Sequence, residues 1–340
     1  MSNSILPVRL DGQVIVTGSL AFDQIMVFPG SFKDHILPDK LHIINISFLV
    51  SEMRKQRGGC AGNIAYTLAL LGHDARIVAA AGKDFSEYNA WLADKGVDMQ
   101  GVRIFDDEIT ASCHITTDQD DNQITGFFVG AMRRAGELSL KQEMGDRPAI
   151  CIVAPDDPEA MVRHCKEARE AAIPFLFDPS FQVTAMDGEA LTAASRGAAI
   201  LVVNDYEYAV FQKKTGKTDA DVFDLVDMVI VTLGAEGSKI LRPGQDDILI
   251  PAAKVERVAD PTGAGDAYRS GFVAGLMRGH ELEVCGRMGS VTSAFVVEQS
   301  GPQLHAYTQD EFERRYAENF GPLPIDAEPT DTLPVVAQRT

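Results

Sequence analysis

The sequence predicts an α/β fold, with a mostly parallel central sheet covered by helices on both faces and a small β-sheet flap beside it. Three observations lead there. Short apolar runs alternate with amphipathic segments, as when strands feed helices in a sheet buried on both sides. Two stretches, about 20–50 and 102–130, break that rhythm and lack a clean helical period. Residues with distinctive chemistry stand at the ends of the apolar runs, where open parallel sheets bind ligands.

In chain order, Val14–Thr17, Arg76–Ala80, Ile150–Ala154, Phe175–Phe177, Ile200–Val203 and Met228–Thr232 read as buried strands. Asn63–Leu71, Pro158–Ala172 and Tyr206–Lys214 carry helical patterns between them. Val102–Phe105, Ser112–Thr116 and Ile124–Val129 are separated by Asp106-Asp107 and Asp120-Asp121-Asn122, so they read as antiparallel strands joined by turns. With 20–50 they make up the flap, either a lid that excludes water from a reaction or a plain extension of the sheet. A further strand is expected to end at Asp260. Residues 12–320 read as one domain. The tail 321–340 holds Pro322, Pro324, Pro329 and Pro334 and is expected to follow the surface or stay unstructured.

Composition narrows the function. The chain has 340 residues, 45% hydrophobic and 24% charged, with a net charge of −18. Nucleic acids and anionic membranes are poor partners for such a chain, because affinity for them comes from Lys and Arg neutralising phosphates. A small phosphorylated ligand stays open, since local amides and a metal ion outweigh the global field. The five cysteines are scattered, with no Cys-x-x-Cys pair. They read as reduced thiols, and with no basic-then-apolar leader a cytoplasmic location is expected.

The most informative stretch is Asp260-Pro-Thr-Gly-Ala-Gly-Asp-Ala-Tyr-Arg-Ser-Gly271. A glycine-rich turn entering a helix leaves N–H groups free and aims the positive end of the helix dipole at one point, which suits phosphate oxygens. No Lys-Ser/Thr follows the glycines, and Tyr268 stands where GxGxxG needs its third glycine, so neither of those phosphate loops is present. Asp266 is either a helix cap or a base that takes a proton from a hydroxyl attacking phosphorus.

Other candidates stand at strand ends. Asn204 and Glu207 are either a capping pair or an amide for phosphate oxygens and a carboxylate for hydrated Mg²⁺. Thr232-Leu-Gly234-Ala-Glu-Gly237 supplies a hydroxyl and two glycines where backbone can run beside a nucleotide. In Gly58-Gly59-Cys-Ala-Gly-Asn63 the glycines permit close approach and Asn63 offers a donor and an acceptor to a sugar hydroxyl. Asp23 can accept from both hydroxyls of a cis-diol.

Gly58-Gly-Cys-Ala-Gly-Asn63 and Asp260-Pro-Thr-Gly-Ala-Gly-Asp266, in this order and separation, resemble the paired motifs of the ribokinase-like (pfkB) family of sugar and nucleoside kinases. Asn204-x-x-Glu207 and Thr232-Leu-Gly-Ala-Glu-Gly237 resemble that family's metal–phosphate and nucleotide motifs. The resemblance spans about 12–320. It implies transfer of the γ-phosphoryl of ATP, with Mg²⁺, to a primary hydroxyl. Asp266 would be the base, with the amides of Gly263, Ala264 and Gly265 as the anion hole. Asn204 and Glu207 would organise phosphate and metal, while Thr232, Gly234, Gly237, Asp260 and Thr262 would lie on the nucleotide side. Asp23, Gly59 and Asn63 would hold the acceptor. A monovalent cation such as K⁺ beside the anion hole is an option the family leaves open, as are monomer and homodimer.

Gln123–Met132, Asp266–Phe272 and Val297–His305 look like the bacterial and archaeal adenosine (nucleoside) kinase branch. That branch implies 5′-phosphorylation of a nucleoside, adenosine first, in purine salvage. A base needs an aromatic slot, which Phe127 or Phe128 on a flap strand would supply, with Phe128 the one expected. The Lys that many ribokinases carry in the first motif is absent, which weakens a plain ribose reading. The alternatives are a kinase of a free sugar or sugar phosphate (ribose, fructose) and a non-catalytic nucleotide sensor of the same fold.

Overall fold

In the computed structural model, which describes residues 9–36, 45–120 and 122–327, neighbouring residues of each buried strand enter different cores. Val14 and Val16 join one apolar cluster and Ile15 the other; Ile200 and Val202 part from Leu201 and Val203 in the same way. A strand with both faces buried has to be apolar throughout, which is why these runs show no alternation.

The strands are β1 (Gln13–Thr17), β2 (Ala21–Val27), β3 (Glu52–Gly58), β4 (Ala75–Gly82), β5 (Asp98–Phe105), β6 (Ala111–Thr117) and β7 (Gln123–Phe128), followed by β8 (Pro148–Val153), β9 (Phe175–Phe177), β10 (Ala198–Asn204), β11 (Val226–Thr232), β12 (Ser238–Leu241) and β13 (Ile248–Ile250). The helices are α1 (Cys60–Leu70), α2 (Ser86–Asp94), α3 (Leu140–Glu143), α4 (Pro158–Glu170), α5 (Gly188–Ser195), α6 (Asp205–Thr215), α7 (Asp219–Phe223), α8 (Ala264–Met277), α9 (Leu282–Val297) and α10 (Gln309–Phe320).

Nine strands form the large sheet in the order β13-β12-β11-β10-β9-β8-β1-β4-β5. The pairs from β11 through to β5 are parallel, and β12 and β13 are added antiparallel at one edge. The small sheet runs β3-β2-β6-β7. It is mixed, since β2 pairs antiparallel with β3 but parallel with β6.

Three expectations are corrected. Val102–Phe105 is the end of β5, the edge strand of the large sheet beside β4, and is not part of the flap. The fourth flap strand is β3, whose sequence EMRKQRG is mostly exposed and so carries no apolar pattern. No strand precedes Asp260; the amides of Ala259 and Asp260 both donate to the carbonyl of Val297 at the end of α9. Residues 37–44 of the expected 20–50 flap segment lie outside the described residues, as do 328–340 of the tail. Up to Ala327 the tail lies along the surface, with the Ala327 amide donating to the Arg278 carbonyl at 3.0 Å. Among the described residues no helix is long and apolar enough to cross a membrane.

Helices α8 and α9 pack through glycines. A Cβ on Gly271 would lie 2.6 Å from the Met288 carbonyl oxygen, and one on Gly289 would lie 2.7 Å from that of Tyr268. This contact fixes α8, and with it the glycine-rich turn, beside the carboxyl ends of the central strands.

Candidate active site

Gly263 is the N-cap of α8 at φ 82°, a left-handed conformation natural to glycine, and this makes Asp266 the third residue of the helix. Asp266 does not cap. Its Oδ2 accepts from Asn63 Nδ2 at 2.8 Å, a bond that joins the first turns of α1 and α8. Of the three amides assigned to the anion hole, that of Ala264 is already used, donating to the Pro261 carbonyl at 3.1 Å as the turn closes on itself. Among the described residues, the amides of Gly263, Gly265 and Asp266 have no acceptor. The unpaired amides at this turn are thus two of the expected three, those of Gly263 and Gly265, together with that of Asp266. Burial pushes the Asp266 carboxyl up, while Arg269, Asn63 and Cys60 pull it down.

Behind Asp266 runs a buried polar chain. Gln303 Nε2 donates to Asn63 Oδ1 at 2.7 Å and also contacts the Tyr88 hydroxyl, which donates to the Gly58 carbonyl at 2.9 Å. Asn63 therefore holds Asp266 on one side and is held by Gln303 on the other. Neither Gln303 nor Tyr88 stands out in the sequence as a site residue, although Gln303 lies within the 297–305 segment that carries the resemblance.

Asp23 faces Asp266 from the small sheet. Its carboxyl is pushed up to about 6, first by burial and then by the charges of Asp260 and Asp266. Among the described residues no donor is bonded to it, so it is free to accept from a ligand. Gly58 makes room for it, since a Cβ there would lie 2.4 Å from Asp23 Oδ2. Gly59 serves the fold: at φ 87° its Cβ position is 2.5 Å from the Ser19 carbonyl oxygen.

Strand register corrects the choice of aromatic. Asp23 pairs with Cys113, and Cys113 with Phe127; Phe22 pairs with Ser112, and Ser112 with Phe128. Register partners share a face of the sheet. Phe127 therefore lies on the Asp23 face and Phe128 on the opposite one, with Phe22. Gln56, the β3 partner of Asp23, shares the first face, and its Nε2 donates to the Ser300 carbonyl at 2.8 Å. Both rings are exposed, Phe127 at 46% and Phe128 at 39%.

Asn204 and Glu207 form a full capping box on α6, with the Glu207 amide donating to Asn204 Oδ1 at 2.7 Å and the Asn204 amide to Glu207 Oε2 at 2.8 Å. This leaves Asn204 Nδ2 and Glu207 Oε1 for a ligand. Among the described residues no three His, Cys, Asp or Glu side chains cluster as a metal cage. Mg²⁺ needs no such cage, since it takes one or two carboxylates, substrate phosphates and its own waters. Thr232 ends β11 half-buried. Gly234 (φ 59°) has open space where a Cβ would stand, whereas one on Gly237 would lie 2.0 Å from the Ile250 carbonyl oxygen. Gly237 thus serves strand packing. Asp260 Oδ1 accepts from the Thr262 amide at 2.9 Å and shapes the approach to the glycine turn.

The profile of the pfkB family carbohydrate kinases matches residues 24–309. The chain is 31% identical over 317 residues to a nucleoside kinase of Methanothermobacter thermautotrophicus, covering 92% of this chain and 97% of that one. It is similar to the structure of a Burkholderia thailandensis nucleoside kinase in complex with ADP-inosine, with 39% identity, a TM-score of 0.81, and 94% and 99% of the two chains covered. It is also similar to the Methanocaldococcus jannaschii nucleoside kinase, at 30% identity and TM-score 0.83, covering 92% and 100%.

Proposed function

The chain belongs to the pfkB family of carbohydrate kinases, and we propose that it transfers the γ-phosphoryl group of ATP to the 5′-hydroxyl of a nucleoside, with adenosine the first acceptor to test and purine salvage the setting. The observation that carries the reading is Asp266 at the mouth of three unpaired amides, facing an Asp23 carboxylate that has no bonded donor.

Asp23 accepts from the ribose diol, and Phe127 stacks on the base. Asp266 takes the proton of the 5′-hydroxyl as its oxygen attacks the γ-phosphorus. The amides of Gly263, Gly265 and Asp266 hold the phosphoryl oxygens. Asn204 and Glu207 would hold Mg²⁺, and Thr232, Gly234, Asp260 and Thr262 would line the nucleotide side. When bound, the metal supplies positive charge to the phosphates. The nucleoside kinases similar to this chain, one of them in complex with ADP-inosine, support a purine nucleoside as acceptor.

The test is nucleoside-dependent ADP release with ATP and Mg²⁺ over adenosine, inosine, guanosine, cytidine, ribose, fructose and fructose 6-phosphate. Turnover on a nucleoside, with kcat collapsing at least 10³-fold in Asp266→Asn, is expected. Near-normal kcat in that variant would remove Asp266 as the base. Turnover on sugars alone would discard the base slot, and ATP binding without turnover on any acceptor would favour a nucleotide sensor.

A further inference from the structure

One buried cation has no part in the chemistry above. Arg269 follows Asp266 by three residues on α8 and is 7% exposed. Helical side chains lean toward the N-terminus, so its guanidinium lies under the glycine turn, and a Cβ on Gly265 would be 2.6 Å from Nη1. Nη2 donates to Asp178 Oδ1 at 2.6 Å, and Nε is 2.5 Å from Oδ2. The second contact is an ion pair without hydrogen-bond geometry, and the carboxylate that anchors Arg269 is fully buried just beyond β9. Nη1 has no acceptor among the described residues. Burial works against the charge on Arg269, but the carboxylates of Asp178, Asp266 and Glu207 outweigh it. The guanidinium is therefore charged and within electrostatic reach of both Asp266 and Glu207.

A buried ion pair is a weak source of net stability. A fixed, desolvated charge beside a transfer path, however, is the most effective form of transition-state stabilisation, because it needs no reorganisation when the reaction occurs. We infer that Arg269 is the fixed positive charge that complements the phosphoryl group in transit, and that Asp178 is the positioning residue that aims it. This rests on the phosphotransfer reading. In the step, the 5′-oxygen bonds to the γ-phosphorus, the bond to the β–γ bridging oxygen breaks with its electron pair leaving on ADP, and the proton goes to Asp266. Arg269 neither gains nor loses a proton.

The experiment compares wild type, Arg269→Gln, Arg269→Lys and Asp178→Asn. It measures kcat, KM for ATP and for the nucleoside, inhibition by ADP with aluminium fluoride in the presence of nucleoside, and thermal unfolding. Arg269→Gln should lose about 10²–10³ in kcat, keep both KM values within about threefold, and bind the ADP–aluminium fluoride mimic weaker by a factor similar to the kcat loss. Arg269→Lys should fall between, and Asp178→Asn should lose about tenfold in kcat with Arg269 still present. A lowered unfolding temperature with mimic affinity intact would mean a structural role only and overturn the inference, as would a kcat within threefold of wild type. If Arg269→Gln does not fold, unchanged kcat and mimic affinity in both other variants overturn it. Wild type inactive on every nucleoside removes the phosphotransfer reading and this inference together, whereas active wild type with a fully active Arg269→Gln removes this inference alone.

Discussion

Replacing Asn63 by Ala should move the acid limb of the kcat profile upward. The 2.8 Å bond from Asn63 Nδ2 to the buried Asp266 carboxylate is charge-assisted, and bonds of that kind contribute about 1.5–3 kcal/mol. Losing a donor to the ionised form therefore raises the Asp266 carboxyl further, in the same direction as burial. Because the site is buried, water replaces the lost donor poorly. A base acts only when deprotonated, so the variant should fall about 10- to 100-fold below wild type on the acid side and converge with it at high pH. Stability responds separately. Gln303 Nε2 loses one of its two acceptors and keeps the Tyr88 hydroxyl, at a cost of about 1 kcal/mol, against roughly 0.5 kcal/mol gained from the better helix propensity of Ala. A small drop in Tm follows. The assay is ADP release at saturating ATP and nucleoside from pH 5 to 9, so that acceptor binding does not enter. A parallel fall at every pH, with the limb unmoved, would refute the argument and assign Asn63 to the acceptor instead of to Asp266.

Two further outcomes are expected. Because the Asp23 carboxyl sits at about 6, raised first by burial, the nucleoside KM should climb as pH falls below about 6. Asp23→Asn should raise KM about 10- to 100-fold, the loss of a hydrogen bond to a charged group, and abolish that pH dependence. Asp156 is buried, with no partner on Oδ2, and burial pushes it up to about 8. Between its unfolded value near 4 and that point the folded chain holds a proton that the unfolded chain has released, so stability falls as pH rises, by at most about 1.36 kcal/mol per unit. Asp156→Asn should flatten that decline between pH 5 and 8 in urea melts and be the more stable protein at pH 7; a slope unchanged from wild type would show that Asp156 is ionised in the fold.

The central strands β1, β4, β8, β9, β10 and β11 can be read from the sequence because they are short, largely apolar runs buried on two faces, whereas the edge strands β5, β12 and β13, more mixed or more exposed, leave no such run. In the small sheet β6 and β7 are legible as strands, but β3 is not, and the pairing of the exposed strands leaves no mark. β7 is exposed along its whole length and β3 along most of it, so their places follow from backbone pairing, which leaves no periodic trace. The same limit explains Phe128. One residue of register decides which of two adjacent rings shares a face with Asp23, and only the β2–β6–β7 pairing fixes that parity. The glycines divide similarly. Those at 58 and 263 make room for or shape the site and those at 59 and 237 serve packing, a distinction that depends on what a Cβ would strike. Asp178 and Arg269 are 91 residues apart in sequence, and each alone looks like a strand-end turn former or a helix surface charge.

The charge of the chain gains its meaning at the site. With a net charge of −18, the protein repels polyanions at long range, but beyond about 8–10 Å physiological salt screens that field. At contact the balance reverses. Two unit charges 4 Å apart interact by about 4 kcal/mol at an effective dielectric of 20, so one oriented guanidinium and three unpaired amides outweigh many distant surface carboxylates. Asp23, Asp260 and Asp266 converge near the same turn, and their mutual repulsion is what raises Asp23 beyond the effect of burial. A ligand that brings hydroxyl donors to Asp23 and a phosphoryl group to the amides relieves both imbalances at once. A neutral acceptor that brings hydroxyls and a small anionic donor that brings a phosphoryl group match the two sides of that arrangement.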